Sequence, residues 1–333
     1  MKNKCVSLTG INESSLIDEE LDTTNLLDDE AIVKTEYSLI SAGTELSRAF
    51  GLKKGFKYPV RPGYCAVGRI VEKGKDIKFN IGDKVFIDAP HQLYARVSEN
   101  KNIIFKLPEE IDSISATFMN MMLVAIQGVN YTDTKLLDTV GVFGLGTVGA
   151  LAACMYNNLG LNVIGLDPVK QRCEFVKQLG IKYTIDSANQ KEEVNKLTND
   201  KGLDIAVDAS GISQVIVSAI DCAKRYGQVL LLGSPRVSFE TDITPVLSNI
   251  HMKNLKVLGG LNQTTPKYNV TGRDDSTYKN YLRCLDLIAE NKIDLRKFVS
   301  KVIDPKQCQS AYYDLMYNKD KVNCIVFDWT KYE

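Results

Sequence analysis

The sequence predicts an α/β protein of two domains, a β-barrel-like domain and a doubly wound parallel-sheet domain. Residues up to about 115 carry short β-like runs punctuated by glycine. From about residue 121 the texture changes to strands separated by helix-length segments, the pattern of a parallel sheet wrapped by helices. At about 150 residues per domain, 333 residues supply enough chain for both.

In the first zone the predicted strands lie at 31–35, 66–71, 84–87 and 93–97, each rich in Val, Ile, Phe or Tyr. Asp and Glu crowd residues 13 to 30, which reads as a solvated, turn-rich edge. In the second zone the strands lie at 139–143, 162–166, 182–185, 203–207, 228–232 and 255–258, the six of a complete doubly wound sheet. A helix over 168–179 starts with Pro168 in its first turn and stops before Gly180. After it come a polar loop at 262–276 containing Lys267 and Arg273, a helix at 278–290 and a closing strand at 323–327. That tail is too short for a domain of its own, so residues 1–120 and 263–333 are assigned to one domain and 121–262 to the other.

Charge and composition exclude several classes. With 41 Lys+Arg against 41 Asp+Glu, 44% hydrophobic and 25% charged residues, neither disorder nor a basic nucleic-acid binder is indicated. The N-terminus lacks a signal-peptide stretch, and the most apolar run, 140–156, falls short of the roughly 20 residues that span a bilayer. A cytoplasmic protein with a small-molecule substrate, and neither nucleic-acid nor membrane partner, is expected. The eight cysteines are scattered without any C-x-x-C pair, as expected of reduced, mostly buried thiols.

The sharpest motif is Gly144-Leu145-Gly146-Thr147-Val148-Gly149, between an apolar strand and a helical segment. Gly144 permits a tight turn, Gly146 lets backbone approach a diphosphate, and Gly149 lets the helix lie against the strand. Amides at the helix start, including those of Thr147 and Val148, then face the anion. Asp167, 18 residues beyond Gly149, stands where a carboxylate can accept from ribose hydroxyls and repel a 2′-phosphate. NAD(H) is therefore expected, with NADP(H) left open by the nearby Lys170 and Arg172. Gly233 ends a strand at the edge where ligands of such sheets bind.

Beyond these motifs the chain resembles the medium-chain dehydrogenase/reductase, alcohol dehydrogenase-like superfamily, which pairs a GroES-like catalytic domain with a Rossmann domain. The resemblance rests on Ser41-Ala42-Gly43-Thr44-Glu45, on Pro62-Gly63-Tyr64-Cys65-Ala66-Val67-Gly68 followed by Gly82-Asp83-Lys84-Val85, and on the glycine motif with Asp167. The first two are similar to a zinc-free branch that includes bacteriochlorophyllide dehydrogenase-like proteins. The resemblance implies an active site between the domains and a homodimer or homotetramer.

Zinc-dependent members would carry ligands where this chain has Ala42 and Tyr64, and the third position falls on Asn120. A methyl, a phenol and a carboxamide are poor zinc ligands, so no metal is expected. The dissenting arrangement would use Cys65, Glu45 and His91. Without a Lewis acid, the negative charge that hydride transfer leaves on oxygen must be met by hydrogen-bond donors. Thr44 aligns with a proton-relay hydroxyl, Tyr64 can donate a proton, and Glu45 orients its neighbours or sits in a buried salt bridge. The expected function is a zinc-independent NAD(H)-dependent oxidoreductase acting on a small carbonyl/alcohol pair or an activated C=C bond. NADPH-dependent quinone reduction and a non-catalytic nucleotide-binding scaffold or sensor remain the alternatives.

Overall fold

The computed structural model describes every residue except 53–54, 236–237, 262–263 and 272–274. Contacts divide the chain into one unit of Met1–Asn120 with Ile288–Glu333 and a second of Met121–Leu287. The boundary expected at 262/263 lies outside the described residues. Residues 264–287, expected to return to the first domain, group with the second, where Asn130 Nδ2 donates to Asn280 Oδ1 at 3.1 Å.

The first unit opens with a hairpin, β1 (Lys2–Gly10) and β2 (Glu13–Glu20), paired antiparallel. This corrects the solvated edge expected from residue 13: β2 is acidic, yet Leu16 and Ile17 lie partly buried along it. The unit continues through β3 (Glu30–Leu39), helix α1 (Ala42–Ala49), β4 (Ala66–Lys73), β5 (Lys84–Ile87), β6 (Tyr94–Ser98), β7 (Ile104–Lys106) and the short α2 (Ser113–Ala116). Helix α3 (Met119–Tyr131) leads into the second unit.

There the strands are β8 (Thr139–Phe143), β9 (Asn162–Leu166), β10 (Tyr183–Ile185), β11 (Leu203–Asp208), β12 (Ala223–Leu231) and β13 (Lys256–Gly259). They form one parallel sheet in the order β10-β9-β8-β11-β12-β13. Alternating with them are α4 (Thr147–Asn158), α5 (Lys170–Gln178), α6 (Gln190–Thr198), α7 (Ser213–Cys222) and α8 (Ile243–Lys253), and α9 (Thr277–Ala289) follows. Residues Val140 to Phe143 of β8 are all buried, as expected of a parallel strand covered on both faces.

After α9 the chain returns to the first unit with β14 (Val299–Ile303), α10 (Cys308–Tyr317) and β15 (Cys324–Asp328). These strands extend a sheet ordered β14-β15-β3-β4-β5-β7, with β6 also paired to β3. The returning tail thereby places Tyr312 and Trp329, both 1% exposed or less, in the core beneath α1. Burying an aromatic of that size contributes about 1.5–3 kcal/mol. Among the described residues no helix is long and apolar enough to cross a membrane.

Candidate functional site

Two clusters of the expected site residues form, one in each unit. In the first unit the cluster is built where the chain enters α1. Ser41 occupies the N-cap position, and Glu45 sits one turn into the helix with its carboxylate folded back, so that Oε1 accepts from Ser41 N at 2.7 Å. Its Oε2 accepts from the Tyr312 hydroxyl at 2.7 Å and lies 3.0 Å from His91 Nε2.

Ser38 and Trp329 complete this network. His91 Nδ1 is 2.8 Å from Ser38 Oγ, which also accepts from Trp329 Nε1 at 2.9 Å. Indole N–H is a donor only, so the Ser38 hydroxyl can give its proton to His91 Nδ1, leaving Nε2–H to face the carboxylate. Glu45 and His91 are both 1% exposed or less. Glu45 thus orients its surroundings from inside the core, and its three partners account for His91 as a structural residue.

Above the network lie three hydroxyls. Tyr64 Oη is 2.5 Å from Ser41 Oγ and 3.3 Å from Thr44 Oγ1, and Thr44 is exposed. The backbone that carries the phenol is held by Asn120, whose Nδ2 donates to the Tyr64 carbonyl at 2.6 Å. Burial pushes the Tyr64 phenol well above the usual tyrosine range, while its bonds to Ser41 and Thr44 act in the opposite direction. The phenol is therefore a proton donor in its resting form. Sequence reasoning singled out Thr44, Tyr64 and Glu45, but gave Ser41 no role.

These residues do not fit a catalytic zinc. Ala42 offers a methyl group, the Tyr64 phenol keeps its proton and is bonded to two hydroxyls, and the Asn120 amide is engaged with Tyr64 backbone. The dissenting set fares no better, because the Glu45 carboxylate already serves three donors from inside the core. Among the described residues no group of three His, Cys, Asp or Glu could hold a metal ion.

In the second unit the glycine motif joins β8 to α4. Gly144 has φ of +90°, and a Cβ built on Gly149 would lie 1.8 Å from the Gly144 carbonyl oxygen. Only glycine at 149 lets the helix start approach its own loop this closely. Gly146 is the N-cap, and a Cβ there would meet open space, so its bareness answers no packing demand inside the chain. Thr147 and Val148 begin the helix, and its first amides lie at the positive end of its dipole. A diphosphate fits this cradle.

Asp167 is more deeply engaged than its expected ribose role implies. It is 2% exposed; Oδ2 accepts from Leu145 N at 2.7 Å and Oδ1 from Val169 N at 2.9 Å, with Arg172 Nη1 3.3 Å from Oδ2. The carboxylate therefore ties the glycine loop to the start of α5. The turn it makes displaces Pro168 from the expected helical first turn: α5 begins at Lys170, with Val169 as N-cap. A Cβ on Gly233 would lie 2.5 Å from Gly211 N, so close backbone packing accounts for that glycine. A buried carboxylate that sequence reasoning missed, Asp208, braces the loop after β11 through Ser210 and Gly211.

Residues 147–283 match the family model of the zinc-binding dehydrogenases. An uncharacterized zinc-type alcohol dehydrogenase-like protein of Haemophilus influenzae is 20% identical, the alignment covering 98% of this chain and all of that protein. The 2-dehydro-3-deoxy-L-galactonate 5-dehydrogenase of Pseudoalteromonas atlantica is 25% identical over 83% of this chain and 76% of its own length. Among solved structures, galactitol-1-phosphate dehydrogenase from Escherichia coli superposes with a TM-score of 0.83 at 18% identity, covering 98% of this chain and 99% of that one. The matched family segment contains none of Ala42, Tyr64 and Asn120.

Proposed function

We propose that the chain is an NAD(P)-dependent oxidoreductase of the alcohol dehydrogenase-like, medium-chain dehydrogenase/reductase superfamily that interconverts a ketone and a secondary alcohol without zinc. The observation that carries this reading is the hydroxyl cluster of Tyr64, Ser41 and Thr44, in which Tyr64 takes one of the positions where zinc-dependent members would carry a ligand. Two relatives act, by name, on a sugar-derived acid and a polyol phosphate, which favours a polyhydroxylated substrate over an enone or quinone.

When bound, the dinucleotide supplies or takes up the hydride. The amides at the start of α4 hold its diphosphate; Gly146 keeps that surface free of a side chain, and Gly149 lets the helix start lie against its own loop. Tyr64 gives a proton to the substrate oxygen in the reducing direction and accepts one in the oxidising direction. Thr44, exposed beside it, links the phenol to water. Titration with NADH followed by turnover on a panel of ketoses, keto acids, simple aldehydes and enones tests the reading. Binding with turnover of a polyhydroxylated ketone is expected; binding without turnover on any member would favour a scaffold or sensor.

NAD(H) is the preferred cofactor in this reading, since Asp167 places a negative charge at the end of β9. Arg172 is the cation able to exchange Asp167 for a 2′-phosphate. Replacing Arg172 with Ala is expected to weaken NADPH binding about tenfold while leaving NADH within about threefold, as read by the two dissociation constants. Equal weakening of both would assign Arg172 to the loop instead.

A homodimer is also proposed, through β13. This strand ends the sheet, its residues are largely exposed, and the neighbouring α8 has no fully buried residue while presenting Ile243, Leu247 and Met252 to solvent. An uncovered edge with apolar neighbours is a template for strand pairing. Sedimentation should show a dimer that Val257→Lys converts to monomer; an unchanged mass would place the contact elsewhere.

A further inference from the structure

We propose that Ser41 is a positioning residue for proton transfer, its hydroxyl donating to Tyr64 Oη so that the phenol's own proton stays aimed at the substrate oxygen. The inference rests on the reading of Tyr64 as the proton donor. A serine at a helix N-cap ordinarily turns its oxygen to an amide of the first turn. Ser41 makes no such capping bond, and its Oγ lies 2.5 Å from the phenol oxygen.

The rest of the buried network holds Ser41 in that posture. The serine is 4% exposed, and its amide is pinned by Glu45 Oε1 at 2.7 Å. Glu45 is itself clamped by His91 and by Tyr312, which is contributed by α10 from the far end of the chain. Ser41 is thus fixed through its backbone, with its hydroxyl held beside the Tyr64 phenol.

A phenol has one proton and, here, two hydroxyl neighbours. In the Ser41–Tyr64 contact only one hydroxyl can donate to the other, so the phenol keeps its proton for a substrate when the neighbour is the donor. Thr44 is the weaker candidate, being exposed and 3.3 Å away; Ser41 is buried and 0.8 Å nearer. The other titratable groups acting on the phenol are Glu45 and the Cys65 thiol, and both oppose a phenolate. A hydroxyl donor is what steadies the negative charge when the proton leaves.

In the reducing direction the substrate C=O π bond breaks as its carbon receives a hydride from the reduced dinucleotide. The oxygen takes the Tyr64 proton, forming the alcohol. The phenolate, held by Ser41, is re-protonated from water by way of Thr44. In the oxidising direction the same bonds are made and broken in reverse.

The test compares Ser41→Ala, Ser41→Thr and Tyr64→Phe in the full-length protein. Ser41→Ala is expected to lower kcat about tenfold, the loss of one hydrogen bond in the transition state, with KM and NADH affinity unchanged. In the oxidising direction its rate should need a higher pH, because the phenolate has lost a donor, and Ser41→Thr should restore both. In dinucleotide-free protein, NMR of isotope-labelled tyrosine, with the Tyr64 signal assigned from Tyr64→Phe, should show that signal moved by Ser41→Ala and returned by Ser41→Thr. An unchanged kcat and pH profile in Ser41→Ala, or a loss that threonine does not rescue, overturns the role of Ser41. If Tyr64→Phe itself turns over normally, the reading of Tyr64 fails, whereas loss in Tyr64→Phe with a silent Ser41→Ala removes Ser41 alone.

Discussion

Tyr64→Phe should lower kcat by about 10²–10⁴, the range that a positioned general acid contributes, while leaving dinucleotide affinity within about twofold. The substitution removes one oxygen from a side chain whose ring is otherwise retained, and the Asn120 bond to the Tyr64 carbonyl does not involve that oxygen. Stability should fall by about 1–3 kcal/mol at most: Thr44 is exposed to water, whereas the buried Ser41 hydroxyl loses a partner. Single-turnover kinetics with saturating NADH separates this loss from a binding defect. Turnover at the wild-type rate would show that the proton comes from elsewhere.

Gly149→Val should abolish dinucleotide binding, with affinity falling more than about 100-fold. The new Cβ would fall 1.8 Å from the Gly144 carbonyl oxygen and 3.1 Å from the Ala209 side chain, so the loop or the helix must move. Either movement carries the first amides of α4 away from the position in which they receive a diphosphate. Overpacking of this kind also costs about 1–3 kcal/mol of stability. Gly146→Ala is the informative control, because a Cβ at 146 meets no atom of the chain. It should fold with wild-type stability and still weaken NADH, since the methyl group would occupy space read as belonging to the ligand. Calorimetric titration of both variants reads the difference; equal NADH affinity in wild type and Gly146→Ala would contradict the cradle.

The parallel-sheet unit was legible in the sequence because its strands are buried on both faces, which leaves apolar runs such as Val140 to Phe143 broken by glycine. The hairpin strand β2 was not: in Glu-Ser-Ser-Leu-Ile-Asp-Glu-Glu only Leu16 and Ile17 are apolar, and pairing with β1 decides the conformation. The point at which the chain returns to the first unit carries no such local signal. Helix α9 reads as amphipathic in either unit, and the Asn130 to Asn280 bond that helps hold it in the second spans 150 residues.

At the site, the hydroxyls of Thr44 and Tyr64 could be picked out because they stand within motifs. The partners that hold Glu45 could not, since Tyr312 is 267 residues from it, and Trp329 is 291 residues from the Ser38 it bonds. Contacts of that span leave no local pattern. Ser41 is a different case, for a serine before a helix ordinarily reads as a cap, and only the direction of its side chain distinguishes the two roles.

Hydride chemistry carried by hydroxyl groups alone is most directly tested by measuring the zinc content and the turnover of one purified sample before and after exhaustive chelation. Zinc far below one ion per chain and an NADH-dependent rate unchanged by the chelator are expected. One zinc per chain, with activity lost on its removal and restored by its return, would contradict it.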